Sequence, residues 1–178
     1  MTDVRLTAIH IHPVKSCRRV EVEPAEVVAT GLEHDREWQI VDADGACVTQ
    51  RNHAAMATID TAIDGDDVVV SVDGTGSARL SVAAGTATTV RSLLGTEVQG
   101  VDAGDEAAEF VSTFLGEPCR LAAVTDASDR RAPRSLDVFE QPITFVDLAP
   151  ALIANEASLR WLVGRAQEPF GMERFRPN

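Results

Sequence analysis

The first hundred residues are cut into short apolar runs by turn-forming residues, and a chain punctuated this often has no room for long helices. Trp38, Ile40 and Val41 lead into Asp42-Ala43-Asp44-Gly45, a hairpin turn signal, with residues 46–49 as the returning strand. Residues 58–63, the turn Asp64-Gly65-Asp66-Asp67 and residues 68–72 predict a second hairpin, and shorter strands follow at 78–82 and 96–101. Upstream, Leu6 and Ala8 open a strand-like stretch whose apolar run over 9–14 ends near Pro13. Residues 20–28 alternate weakly, and Pro24 marks an edge or a break there. Many short strands must pair their amides with one another, and the compact solutions are a small barrel or a sandwich.

The character changes after Gly104. Glu106, Ala107, Phe110, Val111, Phe114 and Leu115 carry helical spacing, and Gly116 is a natural stop. Residues 119–124 are again strand-like. The polar stretch 125–136, with Arg130, Arg131 and Arg134, reads as an exposed loop. Asn155 is a good cap for a last helix running through Leu159, Leu162 and Val163 to about Arg165. The fold class is therefore mainly β with a few helices (α+β), with a seam near residues 116–120. No segment approaches the apolar run of a membrane span, and the alternating N-terminus does not read as a signal peptide.

Charge narrows the partners. A formal net charge of −12 repels polyanions and argues against general nucleic-acid binding. Three cysteines, Cys17, Cys47 and Cys119, form no CxxC pair, which argues against a disulfide framework or structural zinc and fits a reducing cytosol. Against fifteen arginines stands one lysine, Lys15. Lysine and arginine are not interchangeable, so this position either requires an ammonium or holds one by chance.

Lys15 sits in Pro13-Val14-Lys15-Ser16-Cys17-Arg18, where a turn at a strand end lets an ammonium, a hydroxyl and nearby amides converge. That describes a phosphate cradle, although on spacing alone the pattern is weak and a surface loop with one solvated lysine is the more ordinary reading. In Gly31-Leu32-Glu33-His34-Asp35-Arg36-Glu37-Trp38, a glycine turn before an aromatic strand residue delivers Arg36 toward Lys15, or leaves it pairing with Asp35 or Glu33 at the surface. Thr49-Gln50-Arg51-Asn52-His53 is a polar cluster in which His53 is either titratable or structural.

Together these segments resemble the MOSC family, the molybdenum-cofactor sulfurase C-terminal domain proteins, with their N-terminal β-barrel domain. The resemblance is carried by Ile11-His12-Pro13-Val14-Lys15-Ser16-Cys17, by Gly31-Leu32 with Asp35-Arg36 and Trp38, and by Val41-Asp42-Ala43-Asp44-Gly45 with Thr49-Gln50-Arg51. It continues through Phe114-Leu115-Gly116 and Glu156-Ala157-Ser158-Leu159 to Arg174-Phe175-Arg176-Pro177-Asn178. It implies an N-terminal β-barrel domain over 1–118 followed over 119–178 by the first part of a MOSC β-barrel, with a molybdenum–pterin cofactor seated between them. It further implies that Lys15, Ser16 and Arg36 hold the pterin and its phosphate, while Arg176 and Asn178 approach from the MOSC side. The activity it implies is reduction of N-hydroxylated substrates, with electrons from a protein partner.

Where the family pattern continues past Phe-Arg-Pro-Asn to a molybdenum-ligating cysteine, this sequence stops, and it is expected to be truncated within the MOSC domain and inactive alone. None of its three cysteines occupies the ligand's place, so no metal ligand and no catalytic residue is assigned. Pyridoxal phosphate, which the sulfurases carry in another domain, is not expected, since a Schiff base needs a lysine and Lys15 is better placed for phosphate. Three readings stand: a cytoplasmic molybdenum-cofactor oxidoreductase, a cofactor-carrier or sulfur-handling protein, and a non-catalytic barrel module that meets a partner.

Overall fold

The computed structural model describes residues 4–132 and 141–177. Eleven strands and two α-helices are defined among them. β1 (His10–Ile11) pairs antiparallel with β2 (Val20–Glu21), and β3 (Val27–Val28) with β4 (Gly31–Leu32). β5 (Trp38–Asp42) belongs to a four-stranded sheet with β9 (Thr86–Arg91), β10 (Glu97–Asp102) and β11 (Cys119–Ala123), in the order β5-β11-β10-β9. β6 (Asp60–Asp64), β7 (Asp67–Val72) and β8 (Gly76–Leu80) form a meander. The helices are α1 (Asp105–Leu115) and α2 (Glu156–Val163).

The expected hairpins form, with local differences. In β7, Val68 and Val70 point inward while their neighbours are only half-buried, as a period-two pattern requires. The return limb after Asp42 is looser than a full strand. Asp42 Oδ1 accepts from the Asp44 and Ala46 amides at 2.9 and 2.8 Å, and Cys47 makes only a bridge to Val41. Likewise the run over 9–14 is a strand only at His10–Ile11. Pro13 has no N–H to continue a ladder, and the chain instead turns to bridge Val14 with Trp38 in parallel. β9 had no expected counterpart. Its threonine-rich sequence buries only Val90, which suits an edge strand with high β-propensity and little apolar alternation.

The main core gathers Trp38, Ile40, Val48, Met56, Ile59, Val68, Val70, Leu80 and Leu121 against one face of α1. That face presents Ala107, Phe110 and Val111 at helical spacing, and Gly116 closes the helix in the left-handed conformation at φ 77°. β11 then runs between β5 and β10, so the strand that follows residue 118 completes the sheet built before it. A second cluster places Phe145 against Val41, Val90, Val98 and Ala122. The segment around residue 145 therefore folds back onto the N-terminal half. α2 differs: Asn155 caps it by accepting from Ala157 and Ser158 at 2.8 and 3.2 Å, yet none of its residues is buried. Among the described residues no helix is long and apolar enough to cross a membrane.

Candidate anion-binding site

The bridge between Val14 and Trp38 sets the site. Trp38 N–H donates to the Pro13 carbonyl at 3.1 Å and Lys15 N–H to the Trp38 carbonyl at 2.8 Å, so the segment after Pro13 lies beside the segment before Trp38. At this junction the backbone departs from ordinary geometry. Ser16 (φ 70°), Arg36 (φ 52°) and Arg176 (φ 53°) are left-handed, a conformation that costs an L-residue about 1–2 kcal/mol. Each is fixed by neighbours. The Ser16 carbonyl accepts from Gln50 Nε2 at 2.7 Å, and Arg36 N–H donates to the His12 carbonyl at 2.8 Å. The Arg36 carbonyl accepts from Phe145 N–H at 2.8 Å, and Arg176 N–H donates to the Glu173 carbonyl at 3.2 Å.

Buried charge fills the same place. Asp35, 2 % exposed, accepts from the His12 amide at 2.8 Å through Oδ1 and from Arg36 Nη1 at 2.5 Å through Oδ2. Arg36 Nη2 donates to the Arg176 carbonyl at 2.9 Å, and Arg176 Nη2 to the Cys17 carbonyl at 2.7 Å. Lys15 is 8 % exposed, donates to the Phe145 carbonyl at 2.7 Å and pairs with Asp147. The peptide groups of Phe145 thus join the Lys15 ammonium to the Arg36 backbone. Burial lowers the pKa of Lys15, Arg130 and Arg176, with Asp147 acting in the opposite direction on all three.

Lys15, Ser16, Arg36 and Arg176 are therefore brought to one locality, while Asn178 lies outside the described residues. The reading of Arg130 as an exposed loop charge is corrected. Its guanidinium is drawn in by the carbonyls of Thr144 and Val146, the latter at 3.0 Å, and stands 5.9 Å from the centre of the Phe145 ring. Arg131 does stay at the surface, paired with Asp129, and Arg134 lies outside the described residues. His12 and Asp147 carried no role in the sequence. His12 stood inside the quoted motif, but nothing in Ile11-His12-Pro13 marks an imidazole as facing two arginines.

His12 is the anomaly. It is 2 % exposed, and among the described residues neither ring nitrogen meets a partner in good hydrogen-bonding geometry, the Cys17 carbonyl acting on the ring only weakly. Burial, then the Arg36 and Arg176 guanidinium groups, push its pKa down to about 3, so the ring is neutral. Arg19 Nη1 is a further buried donor without an acceptor. In the same locality four cations (Lys15, Arg36, Arg130 and Arg176) stand against two carboxylates, the buried Asp35 and the half-exposed Asp147. In a chain of net charge −12, a largely buried excess of positive charge with unsatisfied donors is an arrangement that an oxyanion would neutralise. The three thiols do not offer a soft metal site as they stand. Burial pushes Cys17 up to about 12 and Cys47 and Cys119 up to about 11. Among the described residues no cluster of three metal-ligating side chains occurs. His53 pairs with Glu117 at 2.8 Å, tying the loop after Thr49 to the end of α1.

Fold and site together define an antiparallel β scaffold that carries a buried cationic cradle at the meeting of its N-terminal strands and its later segments. Residues 3–118 match the model of the MOSC N-terminal beta barrel domain, and the chain belongs to that family. It is 33 % identical to human mitochondrial amidoxime-reducing component 1 over 94 % of its length, and 32 % identical to the molybdenum cofactor sulfurase of Drosophila grimshawi over 98 %. The chain spans 53 % of the former and 23 % of the latter, so about half or less of these relatives. In fold it is similar to a protein of Bordetella bronchiseptica whose structure was solved in solution. That likeness has a TM-score of 0.55 at 16 % identity and covers 71 % of this chain and 96 % of the other.

Proposed function

We propose that the cradle seats the phosphate-bearing pterin of a molybdenum cofactor, and that the chain is the cofactor-holding part of an oxidoreductase acting on N-hydroxylated substrates. The observation that carries this reading is the buried excess of positive charge around left-handed Ser16, Arg36 and Arg176, beside donors that have no acceptor. The donor set fits the group: Lys15 offers a point charge, Ser16 a hydroxyl, and Arg36 and Arg176 planar guanidinium groups suited to phosphate oxygens. Asn178 completes the set in this reading, and no residue is assigned to catalysis.

Bound there, the molybdenum–pterin would supply the redox chemistry. The protein's own part is to orient and to neutralise. Asp35 holds Arg36 in place through Oδ2 and the preceding strand through the His12 amide, so the guanidinium is positioned before any ligand arrives. Lys15 is similarly held between Asp147 and the Phe145 carbonyl. An electron-donor protein and a cytosolic location belong to this reading, as does a division into an N-terminal barrel domain over 1–118 and a MOSC segment over 119–178. The near-equal identity to the sulfurases favours one second reading, a cofactor-carrier or sulfur-handling role at the same site.

The test is cofactor content in protein purified from cells that make the molybdenum cofactor. Lys15→Ala and Arg36→Ala should each reduce pterin and molybdenum per chain by about tenfold or more, the worth of one charge-assisted contact. Equal content in wild type and both variants overturns the assignment.

A further inference from the structure

An imidazole whose two nitrogens are buried without a partner in good hydrogen-bonding geometry is costly, because each gives up water and gains little in return. His12 nevertheless has a fixed place. Its amide is held by Asp35 and its carbonyl by the Arg36 amide, while the Cys17 carbonyl, which also accepts from Arg176 Nη2, acts on the ring as a backbone acceptor. Arg36, Arg176 and Arg19 all act on the ring with positive charge. The carboxylate beside them, Asp35, is occupied by the His12 amide and by Arg36. The ring is therefore a neutral group under the positive field of three arginines, and what this locality lacks beyond Asp35 is a second anion.

We propose that His12 belongs to the binding surface: an oxyanion seated between Arg36 and Arg176 accepts a hydrogen bond from the His12 ring, which takes up one proton from solvent as the anion arrives. This rests on the cradle reading above. Burial first, and then the guanidinium groups, keep the free ring neutral; a dianionic phosphate reverses the sign of the field at the ring and works against both when it binds. The ring nitrogen that carries no proton in the free protein then becomes a donor to the phosphate. Proton uptake makes binding tighter toward lower pH, and His12 adds to the cradle a cation that exists only while the ligand is present.

Inorganic phosphate is the probe, titrated into the full chain by calorimetry in buffers of different ionisation heat. Wild type should take up more protons per phosphate than His12→Gln, and the ratio of their affinities should rise as the pH falls. Phosphate's own ionisation is common to both proteins, so the difference belongs to His12. The variant should bind about tenfold more weakly. Nitrogen NMR of the wild-type ring provides a check independent of any substitution, with a neutral imidazole in free protein and a protonated one at saturating phosphate. A ring that stays neutral at saturation, or equal affinities and proton counts, overturns the role of His12 while leaving the cradle intact. Absence of phosphate binding in wild type, or binding unaffected by both Lys15→Ala and Arg36→Ala, overturns the cradle and this inference with it.

Discussion

The meander β6-β7-β8 and the cradle are built on opposite terms. In the meander, positive φ falls on glycine, at Gly65, Gly74 and Gly76, where it costs little. Val68, Val70, Ala78 and Leu80 point to the core and charges point outward, with Arg79 pairing Asp64 and Asp67 at the surface. In the cradle, positive φ falls on Ser16, Arg36 and Arg176, Lys15 and Asp35 are buried, and a buried imidazole meets no partner in good hydrogen-bonding geometry among the described residues. One region agrees with its local preferences at every level. The other sets several of them aside in one place, and such conflicts concentrate where a protein binds something. The Arg36–Asp35 pair should therefore matter greatly to folding while the Arg79 pairs with Asp64 and Asp67 matter little, although all are Arg–Asp contacts.

The largest expected effect is at Asp35. Replacing it with alanine removes the carboxylate partner of the largely buried Arg36 guanidinium and of the His12 amide together, and breaking a pair on a buried carboxylate in this way costs about 3–5 kcal/mol. Urea unfolding of Asp35→Ala should show a loss of that size, with phosphate binding lost as well. A loss below about 1 kcal/mol, the range of a surface pair, would remove the distinction between the two regions.

Ser16 sharpens the comparison in the other direction. If the left-handed backbone there is strain retained for function, Ser16→Gly should relieve it. Relief of about 1–2 kcal/mol, less the extra entropy glycine gives the unfolded chain, leaves a stabilisation of up to about 1 kcal/mol. The same variant lacks the hydroxyl and should bind phosphate more weakly. A variant that is both less stable and an equal binder would mean that Ser16 is a structural turn residue.

The unevenness of the two regions also explains what could be read from the sequence. The meander and α1 were legible because each depends on its own pattern: alternation with an Asp-Gly turn in one, helical spacing with Gly116 in the other. Lys15, Ser16 and Arg36 were legible through a family resemblance and through charge, since a lone lysine beside a serine is conspicuous among arginines. Arg130 was not. A polar stretch with three arginines looks solvated, and only the carbonyls of Thr144 and Val146, fourteen and sixteen residues on, show why one of them turns inward. His12 was hidden for a related reason: its significance is the absence of a partner, which depends on segments far apart in the chain. β9 was missed because its stabilisation lies in pairing with β10 and not in burial of its own side chains.

The smallest effect is expected at Arg79, and its smallness carries the contrast. The Arg79 side chain is about half exposed, and both of its carboxylate partners keep contact with solvent. Water and salt screen such pairs, and ordering three flexible side chains offsets most of what the attraction gains. The apolar pairs on the other face of β7 and β8, with Val68 opposite Leu80 and Val70 opposite Ala78, hold the register without it. Arg79→Ala should therefore leave the urea midpoint unchanged within error, and any small shift at low ionic strength should vanish as salt is added. A destabilisation of Arg79→Ala that matches Asp35→Ala and persists in high salt would mean that exposure does not set the worth of these pairs, and that the cradle's buried charge has no special standing in the fold.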